Sequence, residues 1–341
     1  MKILITGGAG FIGSNFIRLM LDAHPEHEII NLDNLSYAGN LRNLADVGQN
    51  PRYTFIKGDI CDAGLVGGIL FDAIIHFAAE SHVDRSILDA APFLRTNIIG
   101  TQNLLDIARA RGIRMLHVST DEVYGSTDQG LFTESSPLRP NSPYAASKAS
   151  SDLLARACHE TYGADVVITR CSNNYGPFQF PEKLIPLMIT RALAGEALPV
   201  YGDGANIRDW IHVRDHNRAL DLVFHRGRAG EVYNIGGRNE QRNIDIIRKI
   251  LAKIAEIRGI DAERLTGLIT YVRDRPGHDR RYAIDASKIE AELGWSAETD
   301  FDQGIDATVQ WYLDHEEWWS EILSGEYMHY YAAQYGEVPG L

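Results

Sequence analysis

Most of the chemistry this chain can offer lies in two places: the run Thr120-Asp121-Glu122, and a tyrosine and a lysine four apart, Tyr144 and Lys148. Two adjacent carboxyl groups suit acid–base work when their surroundings split their acidities, one kept protonated to donate and the other ionised to accept. Residues four apart in a helix share a face, which sets the Lys148 ammonium beside the Tyr144 phenol. A phenol titrates near 10, and bringing it to neutrality takes roughly 4 kcal/mol of preference for the phenolate. A nearby cation supplies part of that, and Thr120 is placed to hold a substrate hydroxyl in line with the phenolate. Alone, a Tyr-x-x-x-Lys pattern is common on amphipathic helices and an acidic pair is common in solvated turns. Their meaning depends on the elements that carry them.

The first of those elements opens the chain. Lys2-Ile-Leu-Ile-Thr6 reads as a strand that runs into Gly7, Gly8, Gly10 and Gly13, and then into a helix over 14–24. Gly7 and Gly8 permit a tight turn. Gly10 lets backbone approach a pyrophosphate, and Gly13 lets the helix pack close to the strand, its N-terminus facing the phosphates. Glu28-Ile-Ile-Asn-Leu-Asp33 reads as a second strand whose final acid lies 20 residues beyond Gly13. There a carboxylate accepts bonds from an adenosine ribose. Asn34-Leu35-Ser36-Tyr37-Ala38 follows, with no arginine to meet a 2′-phosphate. NAD is therefore expected rather than NADP. A cationic nicotinamide ring would then add to Lys148 in lowering the Tyr144 pKa.

Further strands are expected over 52–56, 71–79, 113–119 and 164–170, with helices over 93–110 and 143–162. Strand 71–79 is almost continuously apolar, as where both sheet faces are covered. Asp59, at a strand end, suits either the adenine amino group or the cap of a following helix. Glu80-Ser-His-Val-Asp-Arg-Ser86 is a polar loop on the ligand edge of the sheet. Asn97 interrupts its helix and needs partners if buried. Beyond about 175 the pattern is mixed: helices over 184–194, 215–225, 243–257 and 301–319, and strands near 198–204, 208–213 and 231–235. The fold class expected is α/β. A Rossmann-type parallel sheet with helices on both faces occupies 1–175, and a smaller mixed α/β substrate-binding domain occupies 176–341. Segments around 210–235 cross back to the sheet. The aromatic stretch from Trp311 to Tyr331 is expected to pack against the body, the alternative being an exposed peptide-binding stripe.

The chain has 341 residues and a formal net charge of -13, which argues against nucleic acid or an anionic membrane surface as a general partner. No apolar run reaches membrane-spanning length, and the N-terminus reads as a strand rather than a signal peptide. Cys61, Cys158 and Cys171 are odd in number and lack metal-type spacing, which fits a reducing cytoplasm. No metal site is expected, because no His, Cys and Asp cluster has ligand spacing along the chain.

The motifs together resemble the extended short-chain dehydrogenase/reductase family over nearly the whole chain. Gly7-Gly-Ala-Gly-Phe-Ile-Gly13 and Tyr144-x-x-x-Lys148 carry that likeness. Thr120-Asp-Glu-Val-Tyr-Gly125 narrows it to the sugar-nucleotide 4,6-dehydratases. His82-Val-Asp-Arg-Ser86, Asn173-Asn-Tyr-Gly-Pro177, Pro181-Glu-Lys-Leu-Ile-Pro186, Arg208-Asp-Trp-Ile-His-Val213 and Asp274-Arg-Pro-Gly-His-Asp-Arg-Arg-Tyr282 point to members that use dTDP-glucose. The resemblance implies that Tyr144 takes the proton of the sugar 4-hydroxyl, Glu122 removes the C5 proton, and protonated Asp121 donates to the departing 6-hydroxyl. It places Gly7, Gly10, Phe11, Ile12, Gly13, Asp33, Asn34, Leu35, Tyr37 and Ala38 around NAD. It adds Asp59, Ile60, Phe77, Ala78, Ala79, Ser81, Asn97, Val118, Tyr144, Lys148, Cys171 and Asn174 to that set. For the nucleotide sugar it implies Ser81, Asp84, Thr120, Asp121, Glu122, Tyr144, Asn173, Lys183, Leu184, Pro199, Tyr201, Arg208, Asn243, Arg273 and His278. Arg208 and Arg273 suit two-pronged bonding to a pyrophosphate. It also implies a homodimer joined by a four-helix contact of the helices over 93–110 and 143–162. The competing readings are a GDP-mannose 4,6-dehydratase, a UDP-sugar dehydratase, decarboxylase or epimerase, and a non-catalytic NAD sensor of the same fold. An epimerase needs neither acid, since it only oxidises and re-reduces C4.

Overall fold

The computed structural model describes residues 1–323. The chain alternates strand and helix from its start: β1 (Lys2–Thr6), α1 (Phe11–Ala23), β2 (Glu28–Asp33), β3 (Tyr53–Lys57), α2 (Ala63–Gly68), β4 (Ala73–His76). Short helices α3 (Val83–Leu88) and α4 (Ala91–Phe93) lead into α5 (Thr101–Arg111), then β5 (Arg114–Thr120), α6 (Pro143–Tyr162) and β6 (Val166–Cys171). β7 (Asn173–Tyr175), α7 (Leu184–Ala194), β8 (Leu198–Tyr201), β9 (Ile207–His212) and α8 (Val213–Arg226) follow, and then β10 (Val232–Ile235). The last elements are β11 (Glu240–Arg242), α9 (Asn243–Arg258), α10 (Ala262–Thr266), β12 (Ile269–Val272), α11 (Ser287–Leu293), α12 (Phe301–Asp314) and α13 (Glu316–Leu323).

Seven strands form one sheet in the order β10-β6-β5-β4-β1-β2-β3, and all its pairings are parallel. Parallel strands need covered faces, and β1 illustrates how they are covered. Ile3 and Ile5 face a layer with Phe16, Ile17 and Met20 of α1 and Leu220, Val223 and Phe224 of α8. Leu4 faces the other layer, with Leu104, Leu105 and Ala108 of α5 and Ala155 and Cys158 of α6. After β3 the chain returns to the far side of β1. That reversal opens a crevice at the carboxyl ends of β1 and β4, where ligands of such sheets bind.

A second apolar body joins α7, α9 and α12 through Met188, Ile189, Ile246, Ile250, Ile305 and Val309. Two small sheets accompany it, β11-β9-β7 and β12-β8. β10, from the 210–235 segment, returns to the edge of the large sheet beside β6.

Three expectations need correction. The helix over 93–110 is not continuous α-helix: Leu94–Gly100 is π-helical before α5 begins. The wider turn turns Asn97 inward, where its side chain accepts from Glu80 N (2.9 Å) and donates to Glu80 O (3.0 Å) and Ser147 Oγ (2.8 Å). The closing helix breaks at His315 into α12 and α13. The break lets Trp318 reach Asn43 Oδ1 (2.9 Å) and Trp319 reach Tyr312 O (2.9 Å). Trp311, Trp318 and Trp319 pack into the second core, whereas the aromatic stretch beyond Leu323 lies outside the described residues. The strand expected over 71–79 spans only Ala73–His76, and the residues after it serve the crevice.

Behind β5 and β6 a buried polar chain ties α6 to the sheet. Arg170 donates to Asp152 Oδ2 (2.8 Å) and to the Tyr124 hydroxyl (2.8 Å), which donates to Asn234 Oδ1 (2.8 Å). Breaking a buried ion pair from one side leaves the other charge unanswered. Arg170→Met is therefore expected to cost about 3–5 kcal/mol, read as a fall in the urea midpoint at unchanged slope. A loss below about 1 kcal/mol, the scale of exposed pairs, would show that this pair does not hold α6 in place.

Candidate active site

The glycine-rich turn is shaped by contact. Gly7 has φ +73°, and a Cβ there would lie 2.5 Å from Ala78 N. A Cβ on Gly13 would lie 2.5 Å from Gly7 O, so α1 can approach β1 only because that side chain is missing. At Gly10 a Cβ would meet only Gly7 O, at 3.3 Å, and would otherwise fill open space. The backbone is thus bare where the crevice needs room for a phosphate.

A cavity of about 310 Å³ runs from Asp59 past this turn to Glu122 and Lys183. It is lined by Gly7, Gly10, Phe11, Ile12, Gly13, Asp33, Asn34, Tyr37, Ala38, Asp59, Ile60, Phe77, Ala78, Ala79, Ser81, Val118, Cys171 and Asn174. Asp33 accepts Ala9 N–H at Oδ2 (2.9 Å) and Leu35 N–H at Oδ1 (2.8 Å). These bonds orient the carboxylate and leave each oxygen a lone pair for a ribose diol. Burial comes first in raising the Asp33 pKa, and those two backbone bonds oppose it. Asp59 accepts Cys61 N–H (2.8 Å) and pairs with Arg95 (3.1 Å). The cap of α2 is Asp62, so the helix-capping alternative for Asp59 falls away. Two expected lining residues stand back from the cavity. Leu35 contributes its N–H to Asp33, and Asn97 braces the Glu80 backbone while Thr96 takes the lining position. The bare turn, the helix N-terminus and the oriented Asp33 fit a dinucleotide.

At the far end stand the chemical groups. Thr120 ends β5, and its hydroxyl accepts Glu122 N–H (3.3 Å), which curls Asp121 and Glu122 into a 3₁₀ turn facing the cavity. Ser142 caps α6 by accepting Ala145 N–H (3.1 Å), with Pro143 in its first turn, and so presents Tyr144 and Lys148 to the same space. The Thr120 hydroxyl faces the same cavity as Tyr144 and acts to lower its pKa. Lys148 Nζ donates to Val118 O (2.8 Å).

The two acids differ as their chemistry requires. Burial pushes Asp121 well above the usual carboxylate range, and the charges of Glu122 and Asp209 push it further. Burial raises Glu122 too, but Arg275, Arg208 and Lys183 pull it back. Such a split suits Asp121 to donate a proton and Glu122 to accept one. Burial, then the Glu122 charge, holds Tyr144 well above 10, while burial brings Lys148 down to about 8. The protein by itself thus keeps the phenol neutral. A cationic ring in the cavity would have to favour the phenolate.

Of the residues expected around a nucleotide sugar, Ser81, Asn173 and Lys183 line the cavity. Asp84 accepts from the Tyr201 hydroxyl (3.0 Å) and pairs with Arg275 (3.3 Å), joining the two bodies at the rim. Arg208 lies over the Tyr282 ring (4.2 Å) and donates to Asp279 O (2.9 Å). His278 pairs with Asp274 (2.6 Å). Leu184 and Asn243 begin α7 and α9, and the buried Asn243 Oδ1 has no protein partner. Pro199 lies on β8, and Arg273 is exposed just past β12.

Sequence reasoning passed over Arg275 and Glu182, although both lie inside the motifs it singled out. Glu182 lines the cavity beside Arg85 (3.4 Å) and His82 (3.7 Å), and burial pushes it up to about 7.

A parallel sheet with a dinucleotide turn, a Tyr–Lys couple and two carboxyls of split acidity defines a dehydratase site of the short-chain dehydrogenase/reductase type. The family model described as GDP-mannose 4,6 dehydratase matches residues 4–308. A dTDP-glucose 4,6-dehydratase of Actinoplanes sp. is 55% identical, covering 94% of this chain and 100% of the relative. That of Neisseria meningitidis is 52% identical, covering 96% and 97%. The crystal structure of DesIV, the dTDP-glucose 4,6-dehydratase of Streptomyces venezuelae, solved with NAD bound, superposes with a TM-score of 0.89 at 54% identity, covering 94% of this chain and 100% of that one. The chain belongs to the dTDP-glucose 4,6-dehydratase family.

Behind the cavity, His216 donates from Nδ1 to Asn174 Oδ1 (2.9 Å) and so orients a lining residue. Burial pushes His216 down to about 3 and His117 down to about 4. Both titrate near 6.5 in an unfolded chain. The unfolded state then binds more protons below that value, so their contribution to stability is complete above pH ~6.5 and is lost as pH falls towards 4 and 3. His216→Gln is expected to flatten the pH dependence of the urea midpoint in this window. An unaltered dependence would mean that His216 is not held neutral.

Proposed function

We propose that the chain converts dTDP-glucose to dTDP-4-keto-6-deoxyglucose and water with NAD as resident cofactor. The observation that carries this reading is the acid pair. Asp121 and Glu122 share one turn with Thr120 and line the same cavity as Tyr144, and their surroundings split their acidities: burial raises both, and cations pull only Glu122 strongly back. Bound NAD would take a hydride from C4 of the hexose and give it back at C6. The chain's own residues manage the protons. Thr120 holds the 4-hydroxyl and Tyr144 takes its proton, Lys148 favouring the phenolate from the same helix face. Glu122, ionised with the help of Arg275 and Arg208, takes the C5 proton made acidic by the 4-ketone. Asp121, protonated, gives its proton to the 6-hydroxyl, which leaves as water. Glu122 returns its proton to C5, and Asp121 is reprotonated by the equivalent of the proton that Tyr144 took from the 4-hydroxyl, so all three groups regain their starting states. The second body, mainly 176–323 of the described residues, serves as the substrate-binding domain. Arg208 and Lys183 act on Glu122 together with Arg275, and Tyr201, Asn243, Arg273 and His278 are assigned to the nucleotide.

Two further readings accompany this one. Leu94 and Ile99 on the π-helical turn and Leu153 on α6 are exposed together with Leu88, and this apolar face suits the four-helix contact of a homodimer. No helix among the described residues is long and apolar enough to cross a membrane, and a cytoplasmic location accords with free Cys61, Cys158 and Cys171.

Separate incubation with dTDP-glucose, UDP-glucose and GDP-mannose tests the assignment. A 4-keto-6-deoxy product is expected from the first, without accumulation of NADH. No product from any of the three would overturn it. Glu122→Gln is expected to keep C4 oxidation, seen as NADH formed on mixing, while C5–H exchange in deuterated water falls by about 10²-fold or more. Exchange at the unmutated rate would remove Glu122 from its role.

A further inference from the structure

At the edge of the sheet opposite the cavity, three histidines meet. His24 ends α1, His27 precedes β2, and His225 lies in the last turn of α8. One ligand nitrogen from each lies within 4.8 Å of the others. His27 Nε2 and His225 Nε2 face each other at 3.3 Å. Glu26 Oε1 completes the group, 3.4 Å from His27 Nε2 and 3.6 Å from His24 Nδ1. Ligand atoms about 2.0–2.1 Å from a tetrahedral ion stand roughly 3.3–3.4 Å apart, close to the His27–His225, Glu26–His27 and Glu26–His24 separations of 3.3, 3.4 and 3.6 Å.

Asp221 supplies what such a site needs behind its ligands. Its Oδ1 accepts from His24 Nε2 (2.8 Å) and its main-chain oxygen accepts from His225 Nδ1 (2.9 Å). Both bonds put the ring hydrogen on the outer nitrogen. They leave the lone pairs of His24 Nδ1 and His225 Nε2 pointing at the common space, the carboxylate–histidine arrangement found behind metal ligands. The rings stack, with centroids 4.5 Å apart for His24 and His225 and 5.2 Å apart for His24 and His27. A third feature favours a cation. The C-terminal ends of α1 and α8, helices of 13 and 14 residues, converge here, and both carry partial negative charge.

We propose that His24, Glu26, His27 and His225 bind one divalent transition-metal ion of the zinc type, with Asp221 orienting two of the imidazoles. The ion would join α1, the start of β2 and α8, and so tie the layer under the sheet to a segment some 200 residues further along the chain. Chain spacing alone did not reveal it, because His225 comes from a remote helix.

Untagged, metal-stripped protein titrated with Zn²⁺ by calorimetry is expected to bind one ion per chain, and Co²⁺ is expected to give the intense visible absorption of a tetrahedral site. Zn²⁺ should raise the thermal midpoint of the unaltered protein. His225→Gln and His24→Gln, both at partly exposed positions, should weaken binding by at least about tenfold and abolish the rise. Glu26→Gln, at an exposed carboxylate, provides a variant whose folding is not at issue and should also weaken binding. Absence of one-equivalent binding by the unaltered protein would overturn the proposal, as would binding of unaltered affinity in these three variants.

Discussion

Asp121 and Glu122 lie side by side in the crevice, Asp121 buried and Glu122 partly so, and the charge between them has to be answered largely from inside the protein. Like charges in a low-dielectric place cannot both persist without cations close by. Burial raises both acids for that reason, Asp121 well above the usual carboxylate range, while Arg275, Arg208 and Lys183 pull Glu122 back. All three cations come from the second body. The acid pair itself ends a strand of the large sheet. The site is therefore electrostatically complete only while the two bodies are together, and the Asp84 contacts with Tyr201 and Arg275 lie on that seam.

The other side of the site is governed by the same constraint with the sign reversed. Lys148 is buried beneath β5, and its neighbours His76 and His117 are kept neutral, which spares it further positive charge. Asp152, paired with Arg170, supplies negative charge one turn along α6 and favours the ammonium. The polar chain behind the sheet thus serves stability and the charge state of Lys148 at once. A substitution there would be felt in the pH profile as well as in the melting curve.

Much of this was readable in the chain. The glycines after β1, the terminal acid of β2, and the Thr-Asp-Glu and Tyr-x-x-x-Lys groups work through short spacings, and local geometry carries them straight to the cavity. What escaped was set by tertiary packing. The π-helical turn at Leu94–Gly100 leaves no periodicity signal, yet it decides that Thr96 rather than Asn97 lines the cavity. Arg275 was passed over for Arg273 because two arginines in one loop look alike until Asp84 is seen to select one of them. The break at His315 follows from where Trp318 and Trp319 find acceptors, and those acceptors lie elsewhere in the chain.

The path of the chain carries a last consequence. β10 joins the edge of the large sheet only after β7, β8 and β9 have contributed to the smaller ones. The polypeptide therefore passes between the bodies more than once, and neither is a contiguous module. Recombining this scaffold with a relative at a single junction near residue 175 would strip the sheet of its outermost strand. A working chimera would need paired crossover points, placed so that the donor's edge strand travels with the sheet that receives it.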